Sequence, residues 1–279
     1  MSATSLPYPN VLVIAANGKT GRRVVPLLEE CGVRVRGASR SSTPAFDWTA
    51  RETWPAALEG MDAAYVVYQP DLAMPSAADD IRALTELAQE HGLRKLVLLS
   101  GRGVPEAQVA EQIVADSGLD WTFIRAAWFS QNFSEGEFAH MVRDGVIALP
   151  MGDVAEPIVD ADDIAEVVAA SLTDTSHNDK AYDLSGPEAL THEQLASELS
   201  DAVGRVIRYQ PISLAEFRAG LAEAQVPEEY IGLLAYLFDV TVSGVNAAPT
   251  GDVERVLGRA PRSFRAFATR AFSEGALAV

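Results

Sequence analysis

Basic side chains, cysteine and long apolar runs are all scarce in this chain of 279 residues. Lysine and arginine number 22 against 39 acidic residues, a formal net charge of −17. That balance argues against nucleic acid or an anionic membrane surface as a partner and leaves self-repulsion, hence solubility, as its plain meaning. Cys31 is the single cysteine, so no internal disulfide forms. The four histidines, His91, His140, His177 and His192, are scattered and offer no metal-ligand spacing. No apolar run approaches the roughly 18 residues that span a bilayer. The start, Met1 to Asn10, is polar and lacks a basic-then-apolar leader, so a cytoplasmic protein without a signal peptide is expected. Lysine is rare too, with Lys19, Lys95 and Lys180 the only three. None of the seven tyrosines has a lysine four residues later. A Tyr-x-x-x-Lys pair, in which lysine lowers the phenol pKa for proton exchange with a substrate oxygen, is therefore missing.

What is present is a globular composition, 48% hydrophobic and 22% charged. The length suits one large domain with a small appendage. Short apolar runs predict strands at Asn10–Ala16, Val33–Ser39, Ala63–Tyr68, Lys95–Ser100 and Asp120–Arg125, with a weaker one near Phe46. Amphipathic stretches predict helices at Gly21–Cys31, Ala77–His91 and Glu106–Ser117. This alternation predicts an α/β fold, a doubly wound parallel sheet of Rossmann type. Residues 1–150 form its nucleotide-binding part, with strand and helix contributions from about 151–190. Later helices at Ala161–Leu172, His192–Val203 (capped by Thr191), Ser213–Ala224, Pro227–Asp239 and Phe264–Phe272 make 191–279 a smaller, mainly helical part covering the substrate.

The first strand runs directly into Ala15-Ala16-Asn17-Gly18-Lys19-Thr20-Gly21 and then a helix. Gly18 and Gly21 hold the last two glycine positions of a G-x-x-G-x-x-G dinucleotide loop, and Ala15 replaces the first. Glycine is needed where backbone nears a pyrophosphate and where helix packs closely on strand. The free N–H groups of the helix start then receive the phosphates. A P-loop would require glycine where Val13 stands, which argues against ATP. Asn17, Gly18, Lys19, Thr20 and Gly21 are thus the expected phosphate-side residues. The second strand ends in Ser39-Arg40-Ser41-Ser42, without the acid that holds ribose hydroxyls in NAD-binding folds. Arg40 suits a 2′-phosphate, with Ser39 adding a bond, so NADP(H) is the expected cofactor. The bland alternative is a solvated arginine.

The loop Asn17–Gly21, the stretches Phe46-Asp47-Trp48, Thr53-Trp54 and Ala57-Leu58, and Trp128–Ser134 together resemble the NmrA-like atypical short-chain dehydrogenases. So do Asp162-Asp163-Ile164-Ala165 and Ser185–Thr191. Within that group the likeness is to the ergot-alkaloid branch of festuclavine and agroclavine dehydrogenases. The resemblance implies Asp47 and Trp48 near the adenine and Tyr68-Gln69-Pro70 beside the ribose and pyrophosphate. It also implies Ser100 and Ala126–Phe129, with Ala127 and Trp128 among them, at the nicotinamide end. Two departures stand out: Ala15 for the first glycine, and Arg125-Ala126-Ala127 where the family has Arg-Pro-x.

Two functions fit. One is an NADPH-dependent reductase that gives hydride to an imine or iminium, a quinone or an enone, without a Tyr–Lys pair and mostly by holding the reactants in place. The other is a non-catalytic NADP(H)-binding redox sensor. For the first, Ser100, Tyr230 and His140 are the candidate catalytic groups, with Glu137 one turn from His140 on an expected helix. Glu111 has a place near the site open to it, but its default reading is a helix-surface carboxylate. Trp128, Phe129, Phe133, Phe138, Tyr230, Tyr236 and Phe238 are candidate walls for a cyclic or aromatic substrate, and a flat cation suits such walls. No metal is expected, and the chain reads as a monomer or homodimer.

Overall fold

A strand that is apolar at every position, such as Val11–Ile14, has no side to show to water and persists only when covered on both faces. A computed structural model, describing residues 6–273, shows that cover. Met1–Ser5, part of the stretch read above for a leader, lies outside the described residues. The chain opens with β1 (Asn10–Ile14), α1 (Gly21–Glu30), β2 (Arg34–Ala38), α2 (Trp54–Leu58), β3 (Ala63–Val66), α3 (Ala77–Glu90) and β4 (Lys95–Gly101). It continues with α4 (Pro105–Ala115), β5 (Asp120–Ala126), α5 (Ala139–Asp144), β6 (Val146–Leu149), β7 (Ala155–Glu156), α6 (Ala161–Thr173) and β8 (Lys180–Leu184). The remainder is β9 (Leu190–Thr191), α7 (His192–Val203), β10 (Arg208–Pro211), α8 (Leu214–Glu223), α9 (Glu228–Val242), α10 (Asp252–Leu257) and α11 (Phe264–Ser273).

Six strands pair in parallel in the order β2-β1-β3-β4-β5-β8. Alternate residues feed opposite cores. Leu12, Ile14, Leu96, Leu98 and Phe123 meet Ile81, Leu84, Ala107 and Ala110 of α3 and α4 on one face. Val11, Val13, Val97 and Ile124 meet Val24, Leu28, Ile164 and Val168 of α1 and α6 on the other. The sheet is the doubly wound Rossmann-type arrangement read from the alternation. The chain leaves β1 for β2 on one side and returns through β3 on the other, so the connections after β1 and β3 diverge. In open parallel sheets the crevice at the carboxyl ends beside such a point is where ligands bind.

The strand expected near Phe46 does not form, and only an isolated bridge joins Asp47 to Ala50. Phe46 and Trp48 instead pack with Trp54 and Tyr68, with ring centroids 4.7–5.6 Å apart. Burying four aromatic rings outweighs a one-strand extension of the sheet at its edge.

A third core, around Phe133, Phe138, Leu195, Phe238 and Phe267, joins the residues after β5 to the C-terminal helices. Two small ladders help, β6 with β10 in parallel and β7 with β9 antiparallel. The C-terminal segment is also pinned to α6. Arg259 and Arg262 pair with Asp163 and Glu166, and Arg270 with Asp160 and Asp162. Asp160 and Asp163 are fully buried. No helix among the described residues is long and apolar enough to cross a membrane.

Candidate active site

The turn after β1 has room for glycine alone at one position. A Cβ on Gly21 would lie 2.3 Å from the Ala15 carbonyl oxygen and 2.8 Å from Ala16 Cα. At Gly18 it would lie 3.1 Å from the same oxygen. Ala15, in place of the first glycine, nonetheless adopts φ +58°, a left-handed conformation that costs a non-glycine residue about 1–2 kcal/mol. Its carbonyl accepts the Gly18 N–H at 2.8 Å, closing the turn. The following α1 carries no side-chain cap; its Arg22 and Arg23 N–H groups turn back to the carbonyls of Gly18 and Thr20, so an incoming anion is met by the N–H groups just before them. The Thr20 hydroxyl is held by the Tyr65 hydroxyl at 3.0 Å. These residues fit the pyrophosphate of a dinucleotide.

A cavity of about 440 Å³ opens from this loop. Gly18, Lys19 and Thr20 line it, with Tyr68-Gln69-Pro70 beyond β3, Ser100 near the end of β4 and Ala127-Trp128-Phe129 beyond β5. From the C-terminal part, α9 contributes Tyr230, Leu233, Leu234 and Leu237. Trp128 is fixed by its indole N–H donating to Thr241 Oγ1 at 2.8 Å and by stacking on Phe238, 5.1 Å between centroids.

The charged groups of the cavity are two acids, Asp71 and Glu137, and two bases, Lys19 and Arg102. Lys19 Nζ donates to Asn132 Oδ1 at 2.8 Å and to Glu137 Oε2 at 2.9 Å. Burial pushes the Glu137 carboxyl up, but the Lys19 charge and hydrogen bond outweigh it and hold it below its usual value. Tyr230 donates to Glu137 Oε1 at 3.5 Å. Burial, reinforced by that carboxylate, pushes the Tyr230 phenol up to about 12. Burial also pushes Tyr68 up to about 12, its hydroxyl donating to Asp80 at 2.8 Å. Asp71, another lining residue, is raised by burial. Arg102 lines the cavity but spends its guanidinium on the carbonyls of Asn246 and Ala248.

Comparison with known families matches residues 15–175 to the family described as NAD(P)H-binding and residues 107–267 to the NmrA-like family. The chain belongs to the NmrA-like family. Its NAD(P)H-binding match begins at Ala15, the first residue of the turn described above. Among curated relatives, this NmrA-like chain is 30% identical to an NAD(P)H azoreductase of Xenophilus azovorans, over 92% of this chain and 96% of the relative. It is 29% identical to an agroclavine dehydrogenase of Claviceps fusiformis, over 92% and 95%. Its fold matches that of an NADPH-dependent quinone oxidoreductase from Escherichia coli, solved with NADPH, at TM-score 0.78 and 21% identity, covering 94% and 99% of the two chains.

In this NmrA-like fold the cavity gathers Gly18, Lys19, Thr20, Tyr68, Gln69, Pro70, Ser100, Ala127, Trp128, Phe129 and Tyr230. Gly21 lies beneath the loop, packed on Ala15 and Ala16. Asn17 reaches Ser39, donating to its hydroxyl at 3.2 Å, which joins the phosphate loop to the end of β2 and the exposed Arg40. Asp47 and Trp48 lie off the cavity, Trp48 buried with its indole N–H on the Val67 carbonyl. Of the candidate aromatic walls, Trp128, Phe129 and Tyr230 face the cavity. Phe133, Phe138 and Phe238 fill the third core, and the Tyr236 hydroxyl donates to Glu106 at 2.5 Å. His140 is exposed and off the lining, because α5 begins only at Ala139 and Glu137 precedes it. Ser100 sits on the fourth strand of the chain rather than the fifth, the strand near Phe46 being absent. Glu111, read as a surface carboxylate, is 3% exposed and holds both Ser100 and Arg125.

Proposed function

We propose that this chain reduces a small cyclic or aromatic acceptor, an iminium, a quinone or an enone, using NADPH and no proton-donating Tyr–Lys pair. Bound NADPH supplies the hydride. The NmrA-like chain is an NADP-dependent oxidoreductase, and its own residues bind, orient and exclude water. The loop Gly18-Lys19-Thr20 and the start of α1 hold the pyrophosphate, Arg40 and Ser39 the 2′-phosphate, and Ala127–Phe129 the nicotinamide end, with Ser100 facing the acceptor. Leu233, Leu234, Leu237 and Trp128 keep water from the acceptor.

The observation that carries this reading is the setting of Tyr230. An activated phenol needs a neighbouring cation, and Tyr230 has a carboxylate, Glu137, which drives its pKa upward. Lys19 is engaged by Glu137 and Asn132, Lys95 is buried at the opposite end of β4, and Lys180 is exposed. An acceptor that already carries positive charge, or whose electrons delocalise, needs no acid of that kind. The names of the relatives, an azoreductase, a clavine dehydrogenase and a quinone oxidoreductase, support acceptors that are cyclic or aromatic.

The test is NADPH oxidation with an N-methylated cyclic iminium and with a quinone. With the permanently charged iminium, kcat is expected to stay nearly flat from about pH 6 to 9, and Tyr230→Phe to stay within a few-fold of the parent. Loss of the roughly 10²–10⁴-fold that a general acid contributes would make Tyr230 the missing donor. Tight NADPH binding without turnover of any acceptor would mark a sensor instead.

A further inference from the structure

Behind Ser100 lies a buried ionic cluster that a packing role leaves unexplained. Ser100 and Arg125 are register partners on β4 and β5, and both face α4. There the Ser100 hydroxyl meets Glu111 Oε1 at 2.6 Å. Arg125 grips the same carboxylate on both oxygens, with Nε 2.9 Å from Oε1 and Nη2 2.6 Å from Oε2. A second carboxylate, Asp183, stands 3.8 Å from Arg125 Nη1. Removing a carboxylate from water is expensive; Arg125 offsets that cost, and the bond left over goes to a serine at the cavity edge.

We infer that Glu111 fixes the direction of the Ser100 hydroxyl, so that Ser100 shows the cavity only lone pairs and selects substrates with an N–H donor beside the reacting carbon. A carboxylate bonded to arginine has no proton to give. The single hydroxyl hydrogen of Ser100 therefore lies in the bond to Glu111, and what remains on Oγ accepts. A protonated cyclic imine supplies the matching N–H. As its carbon receives the hydride, the C=N electron pair returns to nitrogen, the N–H is kept, and the product is an amine with NADP⁺. A quinone carbonyl meets lone pair against lone pair and gains nothing. Glu111 is thus a positioning residue, acting through Ser100, and Arg125 holds it in place. This inference rests on the cavity being the substrate pocket of the proposed reductase.

Glu111→Gln makes the decisive variant. Its amide oxygen stays with Arg125, its NH₂ donates to Ser100, and the hydroxyl hydrogen turns toward the cavity. The readout is binding by calorimetry, without turnover, of pyrrolidinium against N,N-dimethylpyrrolidinium, which lacks the N–H. The parent is expected to prefer pyrrolidinium by about tenfold or more, the worth of a charge-assisted hydrogen bond. Ser100→Ala and Glu111→Gln are each expected to abolish that preference. In turnover, Glu111→Gln is expected to raise quinone kcat/KM relative to that of a protonated cyclic imine, and Ser100→Ala to lower the imine more than the quinone. Equal losses for all ligands in Glu111→Gln, or a preference surviving in Ser100→Ala, would overturn the inference. So would a fall in NADPH affinity in Ser100→Ala, which would give the lone pairs to the cofactor carboxamide. If Glu111→Gln does not fold, Ser100→Ala decides alone, since it removes one buried oxygen and no charge. Absence of turnover with every acceptor would sink the proposed function and leave the binding preference to be judged separately.

Discussion

Arg40 stands exposed one residue past Ser39, at the end of β2 that the phosphate loop touches through Asn17. The Asp47 carboxyl is close by, held low by the Thr49 N–H and hydroxyl and further by the Arg40 charge. Arg40→Ala is expected to weaken NADPH binding about tenfold or more and leave NADH nearly unchanged, because only the 2′-phosphate distinguishes the two. Fluorescence titration with both cofactors measures it, and equal losses would show that Arg40 does not read that phosphate. Residues of this kind are legible in a sequence because a motif places them: a strand end, a glycine, a helix start. Glu111 was not, since an acid in a helix defaults to the surface. Yet Ala107, Ala110, Glu111 and Val114 share one helical stripe, and all four are buried. That periodicity was the available signal. Its partner Arg125 carries none, sitting in a strand that reads as apolar until its last residues.

At the scale of elements, the two-residue ladder of β7 and β9 carries a testable stress. It pairs Glu156 with Leu190 and brings the carboxylate into a pocket of about 10 Å³ shared with His192, the first residue of α7. Neither Glu156 oxygen nor His192 Nδ1 has a hydrogen-bond partner among the described residues. Burial pushes Glu156 up to about 7 and His192 down to about 4. Below about pH 4.5 folded and unfolded chains both keep the Glu156 proton, and nothing is lost. Between there and pH 7 the unfolded chain releases it while the folded chain retains it, so Glu156 takes away about 2–4 kcal/mol as pH rises, whereas His192, protonated only in the unfolded chain between about pH 4 and 6.5, returns a similar amount over that range. Glu156→Gln is expected to uncover the His192 contribution, so that Tm climbs between about pH 4 and 6.5 more steeply than in the parent; an unchanged profile would place the charge elsewhere. Elements themselves were readable where every position is apolar, as in β1 and β4, or where a cap marks the start, as with Thr191 and its capping box. They were not readable where tertiary packing decides. Phe46 joins an aromatic cluster rather than a strand, six-residue α5 is too short to show a period, and β10, mostly exposed, pairs with β6 from sixty residues earlier.

For the molecule as a whole, two sets of contacts fasten the last helices to the sheet and to α6. The Asp252 carboxylate takes the Asp183 N–H at 2.8 Å and sets α10 against β8 and α6. Beyond it Arg259, Arg262 and Arg270 neutralise the acids of α6. Arg259→Met combined with Arg262→Met leaves the fully buried Asp163 without a cation and is expected to cost about 3–5 kcal/mol in urea unfolding. Adding Asp163→Asn should recover most of that loss. An unchanged midpoint in the double variant would show that the cluster is ornamental. In the chain α8 and α9 precede these contacts, and α9, held by Trp128 through Thr241, is the helix that supplies Tyr230 and the leucines of the cavity. This limits how a fold of this kind exchanges parts with its relatives. A whole C-terminal half imported without arginines at 259, 262 and 270 would bring a new pocket and strand two carboxylates in the old half. An exchange keeps the fold stable only where those arginines travel with the acids they neutralise.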